Sequence, residues 1–219
     1  MTKLLITIDG PAGAGKTTVS RELARRLGYL YVDTGALYRG VALAAKNQGI
    51  NPNDDEGLKN LCSGLQLSFV EKKDSMRLTL NNEDISNDIR TPEITMLASA
   101  VSARPVVRQY LLELQRHLGK EKAAVFEGRD MGTVVFPDAD VKFFLNASTQ
   151  TRALRRYREI ESNDSQTLEE VKRDMQRRDH NDSSRKVAPL KAAPDAIVID
   201  STDLSIGKVV DLMISYIRE

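Results

Sequence analysis

Three glycines, Gly10, Gly13 and Gly15, are followed at once by Lys16 and Thr17 in the stretch IDGPAGAGKTTVS, residues 8–20. Each glycine adds backbone entropy that folding must remove. Stability alone does not ask for such a loop; close approach of a ligand to the backbone does. Residues 10–17 fit the spacing G-x4-G-K-[ST] between an apolar run and an amphipathic one, a pattern whose N–H groups and helix amino end cradle phosphate oxygens. Gly10, Pro11, Ala12, Gly13, Ala14, Gly15, Lys16, Thr17 and Thr18 are thus the expected seat of a polyphosphate. Lys16 is expected on the outer phosphates and the Thr17 hydroxyl on Mg²⁺.

A phosphoryl group in transfer spreads negative charge over its equatorial oxygens, and planar cationic donors stabilise that charge. The chain supplies arginines where such donors would be needed. DTGALYRG offers Asp33, Thr34, Tyr38 and Arg39, and EGRDMGTVVFP offers Arg129 and Asp130, each set following a predicted strand and flanked by glycine. Leu168, Val171 and Met175 step by three and four along one helix face, and the same steps next reach Arg178, Asp182 and Arg185. Charges that continue an apolar stripe, instead of opposing it, point towards a cleft. In RALRRYR, Arg152, Arg155 and Arg156 share a helix face, where a cover over the glycine loop is expected. No N-K-x-D or LSGGQ segment marks a guanine-binding switch or a transport ATPase, and no serine or cysteine stands beside a base. Phosphoryl transfer requires no such nucleophile. His117 and His180 read as surface residues.

These side chains need a frame. Residues 4–9, 29–33, 123–128, 140–146 and 196–200 read as buried strands. Between them the period becomes helical: Val19, Leu23 and Leu27 before Gly28; Leu37, Val41 and Ala45 before Gly49; Val107, Leu111, Leu114 and Leu118 before Gly119. Thr91-Pro92-Glu93 is a helix start, Thr167 with Glu170 a capping box, and Ser205 the cap of a last helix carrying Val209, Leu212 and Tyr216. Strands alternating with helices predict an α/β fold with a five-stranded parallel sheet flanked by helices. Residues 65–90 break the rhythm and read as an inserted β-hairpin with a charged turn. Of 219 residues, 29% are charged with a net charge of +1, which offers no global field for nucleic acid or anionic lipid. Cys62 is the only cysteine, so an internal disulfide is excluded and a reducing, cytoplasmic setting is expected. The apolar runs of about five residues fall far short of the roughly 20 needed to cross a bilayer.

IDGPAGAGKTT, DTGALYR, GRDMGTVVFPDA, RRDHNDSSR and APL occur in the order seen in bacterial cytidylate kinases, which the chain resembles from residue 4 to 217. The resemblance implies a nucleoside-monophosphate-kinase fold, monomeric, moving the ATP γ-phosphoryl onto CMP or dCMP. It divides a single domain into a core (1–60, 105–150 and 186–219), a monophosphate-binding insert (61–104), a short lid (151–166) and a cleft-lining helix (167–185). It further implies that Arg39, Arg129 and Arg185 hold the CMP phosphate or the moving phosphoryl. Ser99, Arg108 and Asp130 read the base, Arg178 and Asp182 hold the sugar, and Arg152 and Arg156 belong to the lid. Catalysis is thereby expected from Lys16, Arg129, Arg152, Arg156 and Arg185. Cytosine's exocyclic amine donates to a carboxylate, whereas uracil would set an acceptor against Asp130. Two positions depart from the family pattern: Thr34 stands where Ser is expected, and Glu127 where relatives often carry Asp.

Overall fold

A computed structural model describes residues 3–72, 75–160 and 166–218. In chain order the elements are β1 (Leu5–Asp9), α1 (Lys16–Leu27), β2 (Leu30–Asp33), α2 (Thr34–Asn47), α3 (Asp55–Gly64), β3 (Leu67–Lys72), β4 (Ser75–Leu80) and β5 (Glu83–Asp84). There follow α4 (Pro92–Val101), α5 (Pro105–Leu118), β6 (Ala124–Gly128), β7 (Val141–Asn146), α6 (Thr149–Ile160), α7 (Leu168–Ser184), β8 (Ile197–Asp200) and α8 (Ile206–Arg218). A single π-helical turn, Met131–Val135, follows β6. Contacts divide the chain into two compact units, 1–32 with 121–219, and 33–120.

The first unit is built on a five-stranded parallel sheet in the order β2-β6-β1-β7-β8. All five strands lie where the apolar runs predict them. β1 is central and buried along its whole length, as its unbroken apolar character requires. Ile6, Ile8, Val125, Phe143 and Leu145 from the strands pack with Val19 and Leu23 of α1 and with Val209, Val210 and Met213 of α8. Gly28 closes α1 with φ 67°, a left-handed conformation that glycine adopts without Cβ strain. The face expected for α8 needs correction: Leu212 and Tyr216 are 37% and 41% exposed, while Val210 and Met213 are buried. Apolar residues ring much of this helix, so two stripes fit its period, and the sheet selects the one the spacing did not favour.

The second unit packs α2, α3, α4 and α5 around Leu37, Val41, Leu58, Ile94, Val107 and Leu111. The expected hairpin is present: β3 and β4 pair antiparallel from Leu67↔Leu80 to Lys72↔Ser75. Residues 73–74, in its charged turn, lie outside the described residues. β5 adds a third, two-residue strand. Helix α3 was not predicted. Two glycines and only three buried side chains weaken its pattern, and its start depends on Asp54, whose carboxylate accepts the Gly57 N–H at 2.9 Å. Cys62 is buried there, and burial pushes its thiol up to about 11. Among the described residues no helix is long and apolar enough to cross a membrane.

Candidate active site

Parallel register aligns the strand ends. Asp9 lies opposite Gly128 and Phe144, and Asn146 opposite Asp200, so the segments leaving β1, β6, β7 and β8 emerge at one end of the sheet, where ligands of open α/β sheets bind. The glycine loop leaves β1 there. A Cβ on Gly10 (φ 148°) would fall 2.0 Å from the Leu145 carbonyl oxygen, and one on Gly13 (φ 71°) 2.8 Å from that of Arg152. Helix α1 begins at Lys16 with no side-chain cap and no acid in its first turn, leaving its amino end suited to an anion.

Lys16 is buried and its Nζ donates to the Pro11 carbonyl at 2.8 Å. Burial, then the Arg129 charge and more weakly that of Arg178, push its ammonium down to about 7, against the opposing pull of Glu127 and Asp9. Several cations are thus concentrated where the donor phosphates are expected. Thr17 Oγ1 donates to Glu127 Oε1 at 2.9 Å, and the Tyr31 hydroxyl donates to Glu127 Oε2 at 2.6 Å. The Arg21 guanidinium lies 5.3 Å from the centroid of the Tyr31 ring.

Helix α7 runs past Asp179 to Ser184, with Val171, Met175 and Asp182 buried on one face, Arg178 half-buried, and Arg185 just beyond its end. The Thr167–Glu170 capping box starts it. Arg129 Nε donates to Asp182 Oδ2 at 2.9 Å, Arg185 Nη2 to Asp130 Oδ1 at 3.4 Å, and Arg185 Nη1 lies 3.9 Å from Asp182 Oδ1. Burial would lower the Arg129 guanidinium, but Asp182 reverses this and raises it. Burial likewise works to raise the Asp182 carboxyl, yet Arg129, with Arg178 and Arg185, holds it below the usual carboxylate range.

The arginines of α6 separate. Arg152 is buried, its Nε donating to Ala147 O and its Nη1 to Ala12 O, both at 3.0 Å, and it pairs with Asp179. Asp179 also accepts the Ala12 N–H at 3.3 Å. Arg155, to which the sequence assigned a face but no role, donates to Ala14 O at 3.3 Å and to Ser201 O at 2.6 Å. These two side chains therefore fasten the glycine loop from behind. Arg156 is turned outward and pairs with Glu159 at 3.1 Å, a contact worth little in water. Residues 161–165 of the expected lid lie outside the described residues.

Within the second unit, Asp33 caps α2 by accepting the Ala36 N–H at 3.0 Å and pairs with Arg39 at 2.8 Å. Thr34 is buried. The Arg108 guanidinium lies 5.6 Å from the Tyr38 ring centroid and donates to Ser102 O at 3.2 Å, while the Ser99 carbonyl accepts the Ser102 hydroxyl at 2.9 Å. Sequence reasoning missed Asp9, Tyr31 and Asp179 as side chains that tie these segments together. Only the position of Asp9, directly before the first glycine, offered a signal.

A five-stranded parallel sheet, a glycine loop ending in a buried lysine and arginines beyond the strand ends define a P-loop kinase fold. The family described as cytidylate kinase matches residues 6–219. A cytidylate kinase of Geobacter sulfurreducens is 52% identical over 99% of this chain and 93% of its own length. One of Halalkalibacterium halodurans is 43% identical over 100% and 99%. This chain belongs to the cytidylate kinase family. A solved structure of an uncharacterized protein from Eubacterium ventriosum shares the fold, with a TM-score of 0.50 and 15% identity over 99% of each chain.

Proposed function

We propose that this family member transfers the γ-phosphoryl of ATP directly, in line, to the phosphate of CMP and dCMP. The observation that carries the reading is the burial of Lys16 at the end of the glycine loop, which lowers its ammonium, with the charges of Arg129 and more weakly Arg178 adding to that effect. An incoming polyphosphate supplies the missing counter-charge. The glycine-loop amides and Lys16 hold the donor, while Arg129 and Arg185 neutralise charge on the group that moves. The acceptor oxygen is already an anion, so no protein nucleophile is required. Arg39, Arg129 and Arg185 are assigned to the CMP phosphate, Arg178 and Asp182 to the sugar, and Ser99, Arg108 and Asp130 to the base; Asp33, Thr34 and Tyr38 support that acceptor set. Arg152 and Arg156 are assigned to the lid, with Arg152 also bracing the donor loop through Ala12.

The hydroxyl of Thr17 and the carboxylate of Glu127, 2.9 Å apart, are hard oxygen donors of the kind Mg²⁺ prefers when it also binds phosphate and water. Thr17 would hold the ion and Glu127 would orient Thr17 and the ion's water. When bound, Mg²⁺ supplies charge neutralisation on the phosphates. Tyr31 holds the second Glu127 oxygen, so Glu127→Gln is expected to raise the Mg²⁺ concentration for half-maximal rate about tenfold. A Mg²⁺ titration of initial rates checks this.

The substrate assignment is tested by a panel of CMP, dCMP, UMP and AMP with Mg·ATP, run on the wild type and on Asp130→Asn. CMP and dCMP should lead by about tenfold or more in kcat/KM, and the variant should lose much of the preference for cytosine over uracil. The same reading makes the enzyme a cytoplasmic monomer acting on free nucleotides. A lone buried thiol and the absence of a membrane-crossing helix among the described residues are compatible with that setting.

A further inference from the structure

We propose that Asp9 is a positioning residue: it fixes the turn bearing Arg129 and Asp130 to the first glycine of the phosphate loop. Asp9 ends β1, immediately before Gly10, and is buried. Its Oδ1 accepts the Met131 N–H at 2.9 Å and its Oδ2 accepts the Gly132 N–H at 2.8 Å. Those amides open the π-helical turn, where the first N–H groups have no partner within the turn. The residue placed to cap them is Asp130, yet its side chain makes no capping bond and instead accepts from Arg185.

The two aspartates divide the work. Asp9 caps the turn from another strand, while the Asp130 carboxylate accepts from Arg185. The turn is also pressed onto β1, since a Cβ on Gly132 would lie 3.1 Å from Thr7 Oγ1. One carboxylate thus touches the donor loop through the chain and the acceptor turn through two hydrogen bonds. It sets the separation between them without contacting either nucleotide. Burying a carboxylate is unfavourable, and here burial pushes Asp9 up to about 6 despite both amides, with Asp130 adding to the rise and Lys16 opposing it. A strand end needs no such group; a fixed distance between two loops does.

This rests on the acceptor roles assigned to Arg129 and Asp130. Asp9→Asn keeps the size but offers one acceptor oxygen and sets an NH₂ against a backbone N–H. We expect kcat/KM for CMP to fall about 50-fold, the scale set by small misplacements of reacting groups. Affinity for a non-hydrolysable ATP analogue should change less than about threefold, because the loop amides that bind it are untouched. Val125→Ala, a buried β6 truncation, serves as a stability control. It should lower Tm without lowering kcat/KM. If Asp9→Asn does not fold, Asp9→Ser, which keeps one acceptor and adds no NH₂, takes its place. Wild-type kcat/KM in the Asp9 variant, or equal losses of kcat/KM and analogue affinity, overturns the proposal. The acceptor reading fails separately, if Asp130→Asn leaves the base preference intact.

Discussion

Lys16→Ala should fold like the wild type and lose about 10³-fold in kcat, the scale on which single charged or hydrogen-bonding groups act on a transferring phosphoryl. The folded state does not depend on this ammonium. Its Nζ bonds the Pro11 carbonyl at 2.8 Å, and although Glu127 and Asp9 attract it, burial and the charges of Arg129 and Arg178 outweigh them. Removing it relieves repulsion, so the ligand-free Tm should stay level or rise. With ATP the order reverses. The wild type gains a counter-charge for three cations, whereas the variant gains fewer contacts and a smaller thermal shift. Steady-state kinetics beside melting curves with and without Mg·ATP measure both effects. A variant that turns over CMP within tenfold of the wild type contradicts the assignment of Lys16 to the moving group.

What was legible in the sequence follows from how each signal arises. The glycine loop announces itself because its conformation is demanding: only glycine tolerates φ 148° with the Leu145 carbonyl at its back. The strands of the parallel sheet are legible because burial on both faces leaves an unbroken apolar run. The stripe of α7 was followed from Val171 to Asp182 because one helical period governs core and charged face alike. Other features left no such trace. Arg152 and Arg155 share a helix face in the sequence, but that their donors reach Ala12 and Ala14 carbonyls depends on where α6 lies against the loop. Glu127 of β6 finds its partners Tyr31 and Thr17 on two other elements, β2 and α1. Asp9 looked like an ordinary strand terminus, since its partners are backbone amides 122 and 123 residues away. Pattern along the chain finds residues whose neighbours are local; these partners are made only by packing.

Asp182→Ala should be the most damaging single change to stability in this cluster, and it should damage acceptor binding by a separate route. Asp182 lies between Arg129 at 2.9 Å and Arg185 at 3.9 Å, with all three side chains largely withdrawn from water. Truncation leaves two largely withdrawn guanidinium groups short of a counter-charge, a loss of about 3 kcal/mol, the lower end for a broken buried pair, or about 10 °C in Tm for a chain of this length. The pH dependence has a definite sign. The folded carboxyl titrates below its ordinary 3.8, so its contribution is fully present above that pH and fades as the pH falls below it. The gap in stability between wild type and variant should therefore narrow in acid. Asp182→Asn, which keeps an acceptor for Arg129 but not the charge, should fall between the two. In kinetics, loss of the proposed sugar contact should raise KM for CMP about tenfold, with a smaller change in kcat. Bound CMP brings its own negative charge to the stranded arginines, so saturating CMP should recover part of the lost Tm. Both readouts are needed, because a purely structural Asp182 would lower Tm at unchanged KM, and a purely substrate-binding one would do the reverse.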